Sequence, residues 1–90
     1  MENKTMQMAK ILKALANEKR LKVLYYISEK EMTVGEIEKK VKLNQSALSQ
    51  HLAILRADDI VKTRRDAQTI YYALQDMRVK KILKLLSDLF

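Results

Sequence analysis

Thr33-Val34-Gly35-Glu36, then Asn44-Gln45-Ser46-Ala47-Leu48-Ser49-Gln50-His51-Leu52, then Ile60-Val61-Lys62-Thr63-Arg64-Arg65: these three stretches follow one another through the middle of the chain, and their reading decides the fold. The first matches a capping box, with Thr33 as N-cap and Glu36 reaching back to it. It opens a short helix, Val34 to Val41, that buries Val34, Ile37 and Val41. Lys42-Leu43-Asn44 is a turn, and Asn44 caps the next helix, Gln45 to Ala57. Leu48, Leu52 and Leu55 recur there at i, i+4 and i+7, which makes a buried stripe. At about 100° per residue, Ser46, Ser49, Gln50 and Ala53 fall on the opposite side. The period then changes to two. Ile60 to Arg65 reads as a strand, Asp66-Ala67-Gln68 as a turn and Thr69 to Leu74 as the return strand. Ile70, Tyr72 and Leu74 are expected to face inward, Thr69 and Tyr71 outward. Two short helices joined by a three-residue turn form a helix-turn-helix, and the basic hairpin directly after it is a wing.

Outward from this centre, Thr5 to Ala16 reads as a first helix with Met8, Leu12 and Leu15 along one stripe. Asn17 caps a second helix, with Glu18 in its first turn and an apolar face of Leu21, Val23, Leu24 and Ile27, ending near Ser28 to Lys30. Asp76 caps a last helix, Met77 to Phe90. Its Val79, Ile82, Leu83, Leu86, Leu89 and Phe90 are apolar on more than one side. A 90-residue chain buries only about 60–65% of its unfolded surface, which is marginal for a monomer. The surplus apolar residues of the last helix, together with Met8, Leu12 and Leu15, are therefore expected to form a homodimer interface. Met1, Met6 and Met8 read as flexible packing for the first helix. The expected architecture is a single domain over residues 1–90, mainly α with a small β-hairpin (α+β), in the order α-α-α-α-β-β-α.

Eighteen Lys and Arg against eleven Asp and Glu give a net charge of +7, which suggests an anionic partner. Hydrophobic residues at 48% and charged residues at 32% place the chain among globular proteins. There is no Cys and one His, His51, so no disulfide, thiolate zinc site or cysteine nucleophile is available. Gly35 is the one Gly and Pro is absent, which excludes a Gly-rich phosphate loop. No enzyme chemistry, cofactor or metal site is expected. No apolar run is long enough for a membrane span, and Met1-Glu2-Asn3-Lys4 lacks the apolar stretch of a secretory signal. The expected compartment is the cytoplasm. Lys80, Lys81 and Lys84 beside the last helix's apolar residues are too little to argue for a membrane surface.

The outer face of the helix from Gln45 is chemically distinctive. Asn44, Gln45, Ser46, Ser49 and Gln50 are neutral hydrogen-bonding groups suited to base edges and phosphates in a major groove. Lys62, Arg64 and Arg65, with Gln68 and Thr69 at the tip, suit phosphates or the adjacent minor groove. The expected partner is double-stranded DNA, and the expected function is dimeric, sequence-specific regulation at an inverted-repeat operator, as repressor or anti-repressor. The alternative is a winged-helix module that binds protein. Duplex affinity that falls steeply with salt separates the two.

Leu12-Lys13-Ala14-Leu15-Ala16-Asn17-Glu18-Lys19-Arg20-Leu21 resembles the opening signature of the ArsR/SmtB family of winged-helix regulators. Leu43 to Leu52 resembles that family's recognition helix. Asp66-Ala67-Gln68-Thr69-Ile70-Tyr71-Tyr72 resembles its wing, with a tip most like the HlyU-like non-metal branch. The resemblance implies a winged helix dimerised through its first and last helices. It also implies an input, yet the family's familiar sensors are missing here. Met32-Thr33-Val34-Gly35-Glu36 has no thiol where metal-sensing members carry a Cys-x-Cys pair. Asp76 and Asp88, about 18 Å apart along a helix, have no His beside them. The cysteines of redox-sensing members are absent. The inducer is therefore unknown. Control is expected through abundance, or through a small apolar ligand near Tyr25 and Tyr26, which otherwise read as packing groups. Asp59 stands where the family usually has Gly, and Ala67 where many members have Gly, which points to a different turn. His51 lies at the edge of the buried stripe and reads as a structural group, and Asp58-Asp59 as a helix terminator.

Overall fold

Five helices and three short strands, described for residues 2–90 in a computed structural model, follow the expected order with one addition. They are α1 (Glu2–Leu15), α2 (Glu18–Glu29), β1 (Met32–Thr33), α3 (Val34–Val41), α4 (Gln45–Ala57), β2 (Val61–Asp66), β3 (Thr69–Leu74) and α5 (Met77–Leu89). Met1, expected to pack on the first helix, lies outside the described residues.

Each expected cap is present. Asn17 Oδ1 accepts from the amides of Lys19 and Arg20 at 2.9 and 3.0 Å. Thr33 and Glu36 close the capping box: the Thr33 amide donates to Glu36 Oε1 at 2.9 Å, and the Glu36 amide to Thr33 Oγ1 at 3.2 Å. Asn44 Oδ1 accepts from the Ala47 amide at 2.8 Å, and Asp76 Oδ1 from the Arg78 amide at 2.9 Å. Each cap satisfies helix-end donors and contributes about 1 kcal/mol.

The addition is β1. Met32 pairs with Tyr72 and Thr33 with Tyr71, so the antiparallel sheet has the order β1-β3-β2. β2 and β3 pair from Val61 opposite Leu74 to Asp66 opposite Thr69, leaving Ala67-Gln68 as a two-residue loop. Ala67 holds φ 57° there, the left-handed backbone in which Gly is at ease. The wing therefore keeps its tight turn, and Ala67 bears the strain instead of redirecting the chain. Asp59, at φ 55°, takes the left-handed conformation expected where Gly is replaced. Ile60 is fully buried just before β2; its amide donates to Leu55 O, and its carbonyl accepts from the Gln75 and Asp76 amides. It joins the end of α4 to both ends of the hairpin.

The core draws on every helix. Leu48, Leu52 and Leu55 of α4 meet Val23, Leu24 and Ile27 of α2, Ile37 and Val41 of α3, and Met32, Ile60 and Val61. Tyr72 and Leu74 pack against it from β3, while Ile70 is half-buried where the hairpin extends past it. Three residues expected at a dimer interface also belong to this core: Leu15, Val79 and Leu83 are 4%, 0% and 3% exposed. They close α1 and α5 onto the chain's own interior. Ile82 and Leu86 are half-buried, and Met8, Leu12, Leu89 and Phe90 are exposed. A groove of about 490 Å³ between α1 and α5 is walled by Met8, Ile11, Leu12 and Ile82, with Lys4, Gln7 and Arg78 at its margin.

Candidate nucleic-acid interface

The Leu48/Leu52/Leu55 stripe is buried, so the rest of α4 must face solvent. Gln45, Ser46, Ser49 and Gln50 are exposed, and their side chains make no hydrogen bond within the described residues. That leaves a row of unspent donors and acceptors on a fixed helix. Asn44 is exposed too, but its oxygen is committed to the cap, leaving only its amide nitrogen as a side-chain donor.

α4 is held from behind by a residue to which the sequence reading assigned no role. Arg20, near the start of α2, donates Nε to Ala14 O at 2.6 Å and Nη2 to Lys13 O at 3.5 Å. These carbonyls belong to the last turn of α1, where a helix leaves acceptors unpaired. Arg20 Nη1 lies 3.2 Å from His51 Nδ1 on α4. A guanidinium has donors only, so Nδ1 accepts, and the neutral ring carries its proton on Nε2. Burial, and then the Arg20 charge, hold the His51 pKa below its ordinary value. His51 is thus a structural group, as expected, with Arg20 as the partner. A second tie joins α1 to α4: Lys10 Nζ stands 3.5 Å from Asp58 Oδ1.

On the wing, Lys62, Arg65, Gln68 and Thr69 are exposed. Arg64 is engaged elsewhere. Its Nε and Nη2 donate to Glu31 Oε2 and Oε1 at 3.1 and 2.6 Å, and its guanidinium lies 4.4 Å from the Tyr71 ring centroid. Those Arg64 hydrogen bonds hold the Glu31 carboxyl below the usual carboxylate range. Between wing and helix, Ser49, Ala53, Arg56 and Tyr72 line an open groove of about 470 Å³.

Tyr25 donates its hydroxyl to Leu83 O at 2.8 Å and so ties α2 to α5. Tyr26 lies with Met32 and Lys40 along a surface pocket of about 370 Å³. Among the described residues, no three His, Cys, Asp or Glu side chains are grouped to hold a metal ion, and no helix is long and apolar enough to cross a membrane.

Comparison with known proteins places these features in company. The family described as bacterial regulatory protein, arsR family, is matched over residues 17–63. The transcriptional activator HlyU of Vibrio cholerae is 46% identical over 90 residues, covering 100% of this chain and 83% of that protein. The nodulation protein NolR of Rhizobium meliloti is 55% identical over 82 residues, 91% of this chain and 67% of that protein. The structure of reduced HlyU from Vibrio cholerae superposes with a TM-score of 0.94 at 46% identity, covering 100% of this chain and 95% of that one. A homodimeric winged helix-turn-helix DNA-binding domain from Mycobacterium bovis superposes with a TM-score of 0.86 at 27% identity, over 98% of this chain and 82% of that one.

Proposed function

This chain belongs to the arsR family of bacterial regulatory proteins, and from that premise we propose that it works as a homodimer that reads an inverted-repeat DNA operator. It is a DNA-binding regulator of transcription, not an enzyme. The observation that carries the finer reading is the unspent polar row of Gln45, Ser46, Ser49 and Gln50, on a helix buried along its other side and flanked by a basic wing. Gln50 is assigned to a base edge, since a glutamine amide pairs bidentately with adenine N6 and N7. Ser46, Ser49 and Asn44 serve neighbouring bases or phosphates. Lys62 and Arg65 take phosphates, and Gln68 and Thr69 lie along the adjacent groove. Binding occludes or remodels a promoter, so the chain represses directly or displaces another DNA-bound protein.

The second copy is assigned to the α1–α5 face. On α5, Val79 and Leu83 are buried in the core and Ile82 packs against it, while half-buried Leu86 and exposed Leu85 and Leu89 continue the apolar surface outward. Met8 and Leu12 stand across the groove from Ile82. A two-fold pair of this kind presents two α4 helices to successive major grooves, about 34 Å apart. Competition between duplexes differing at single positions tests the base assignment. Gln50→Ala is expected to relax discrimination at one position in each half-site by about 1–3 kcal/mol. Equal weakening on every sequence would make Gln50 a backbone contact.

A further inference from the structure

We propose that Glu31, Arg64 and Tyr71 form a positioning clamp that fixes the wing against the helix-turn-helix, so that Arg64 serves DNA binding through geometry rather than as a phosphate contact. This rests on the DNA-binding reading above. Tyr71 lies in the central strand and pairs with Thr33 on one side and Arg64 on the other. Directly paired residues share a face of a sheet. Glu31, two positions before Thr33, extends the same side by the period of two.

The order β1-β3-β2 gives β2 no backbone ladder with β1. The Arg64 side chain supplies the missing link. It crosses the Tyr71 ring at 4.4 Å and forks both Glu31 oxygens at 2.6 and 3.1 Å. The fork fixes the guanidinium's direction within its plane, and the ring beneath fixes that plane. Beyond Glu31 the chain runs straight into Thr33, the N-cap of α3. The far end of the clamp is therefore seated on the first helix of the helix-turn-helix. The fork spends two of the guanidinium's five N–H donors and sets the Glu31 charge against its own, so a phosphate would meet a neutralised pair rather than a lone cation. Arg65, next in sequence, stands on the opposite face of the sheet. That face carries Tyr72, which lines the groove beside Ser49 of α4, and Arg65 is exposed there.

The test uses the full chain and a duplex selected by it from a random pool, titrated across salt concentrations, with melting temperatures recorded for every variant. Failure to select any duplex would count against the DNA-binding reading itself. Given a selected duplex, Glu31→Gln, Arg64→Lys and Arg64→Ala are each expected to weaken binding per folded molecule about three- to tenfold. The salt slope should stay unchanged, and Glu31→Gln with Arg64→Ala together should be no worse than either alone. Lysine cannot reproduce the planar fork, so it should fail to rescue, whereas it would satisfy a phosphate. Tyr71→Leu, which removes the ring face under the guanidinium, should weaken binding as the other clamp variants do. Three results would overturn the clamp: tighter binding with a slope steeper by about one in Glu31→Gln, parental affinity in Arg64→Lys, or melting temperatures that fall while affinity per folded molecule holds.

Discussion

Replacing Arg20 by Met should loosen α4 from the rest of the chain. Met keeps much of the aliphatic stem and removes every donor. Two losses follow. Ala14 O, which accepts from Arg20 Nε at 2.6 Å, is left without that partner at the end of α1. His51 Nδ1 loses its donor at 3.2 Å. The Lys13 contact at 3.5 Å adds little. A charge-assisted bond to a carbonyl contributes about 1.5 kcal/mol and a partly exposed bond to a ring nitrogen about 0.5–1, so the expected loss is ~2 kcal/mol. On a domain of this size that lowers the melting temperature by about 8–16 °C. Urea titration at fixed protein concentration measures it. A pH series then separates the two ends of the link. Folding holds the His51 pKa below its unfolded value, first through burial and then through Arg20. The unfolded chain therefore takes up a proton first as pH falls. Stability is fully present above the unfolded pKa of about 6.5 and declines below it. Arg20→Met removes the charge and leaves the burial, so its acid-side decline should be shallower than the parent's. A loss under 0.5 kcal/mol, or an unaltered pH profile, would refute the argument that Arg20 bridges α1 and α4.

Other expectations are checked more simply. Leu12 is 56% exposed and Leu83 only 3%, so Leu12→Asp should yield a folded monomer by light scattering, whereas Leu83→Asp should lower stability whatever the association state; a folded Leu12→Asp dimer would move the interface elsewhere. Ala67 at φ 57° is strained, and Ala67→Gly should raise stability by about 0.5–1 kcal/mol with DNA affinity unchanged; a destabilised variant would mean that the turn does not need a left-handed residue. With no cysteine in the chain, cadmium, arsenite, peroxide and persulfide should leave duplex affinity unchanged at micromolar concentration, and zinc likewise; a tenfold loss with any of them would reveal a sensor built from other groups.

What could be read from the residues, and what could not, divides along sequence distance. Asn17, Thr33, Glu36, Asn44 and Asp76 each act within three positions of themselves, and all five cap as their spacing requires. The α4 stripe was legible because a helix repeats its buried face. β1 was not: two residues cannot display an alternating period, and Thr33 already reads as a cap. Arg20 with His51 and Glu31 with Arg64 lie 31 and 33 positions apart, and only the fold brings them together. The last helix shows a different limit. Its pattern reveals an apolar surplus without saying which part turns inward, so Val79 and Leu83 were expected at an interface although they fill the core. Asp59 and Ala67 both stand where the family carries Gly; Asp59 keeps the left-handed backbone as an Asp readily can, whereas Ala67, read as a sign of a different turn, keeps it too and bears the strain.

Selection of duplexes from a random pool, followed by binding of the recovered sequence across a salt series, bears on the whole reading at once. A homodimer that presents two α4 helices should recover an imperfect inverted repeat with half-sites about one helical turn apart, and its affinity should fall steeply as salt rises. Recovery of no preferred sequence, or of an asymmetric one bound with little salt dependence, would contradict the assignment of Gln45, Ser46, Ser49 and Gln50 to a paired, major-groove reading surface.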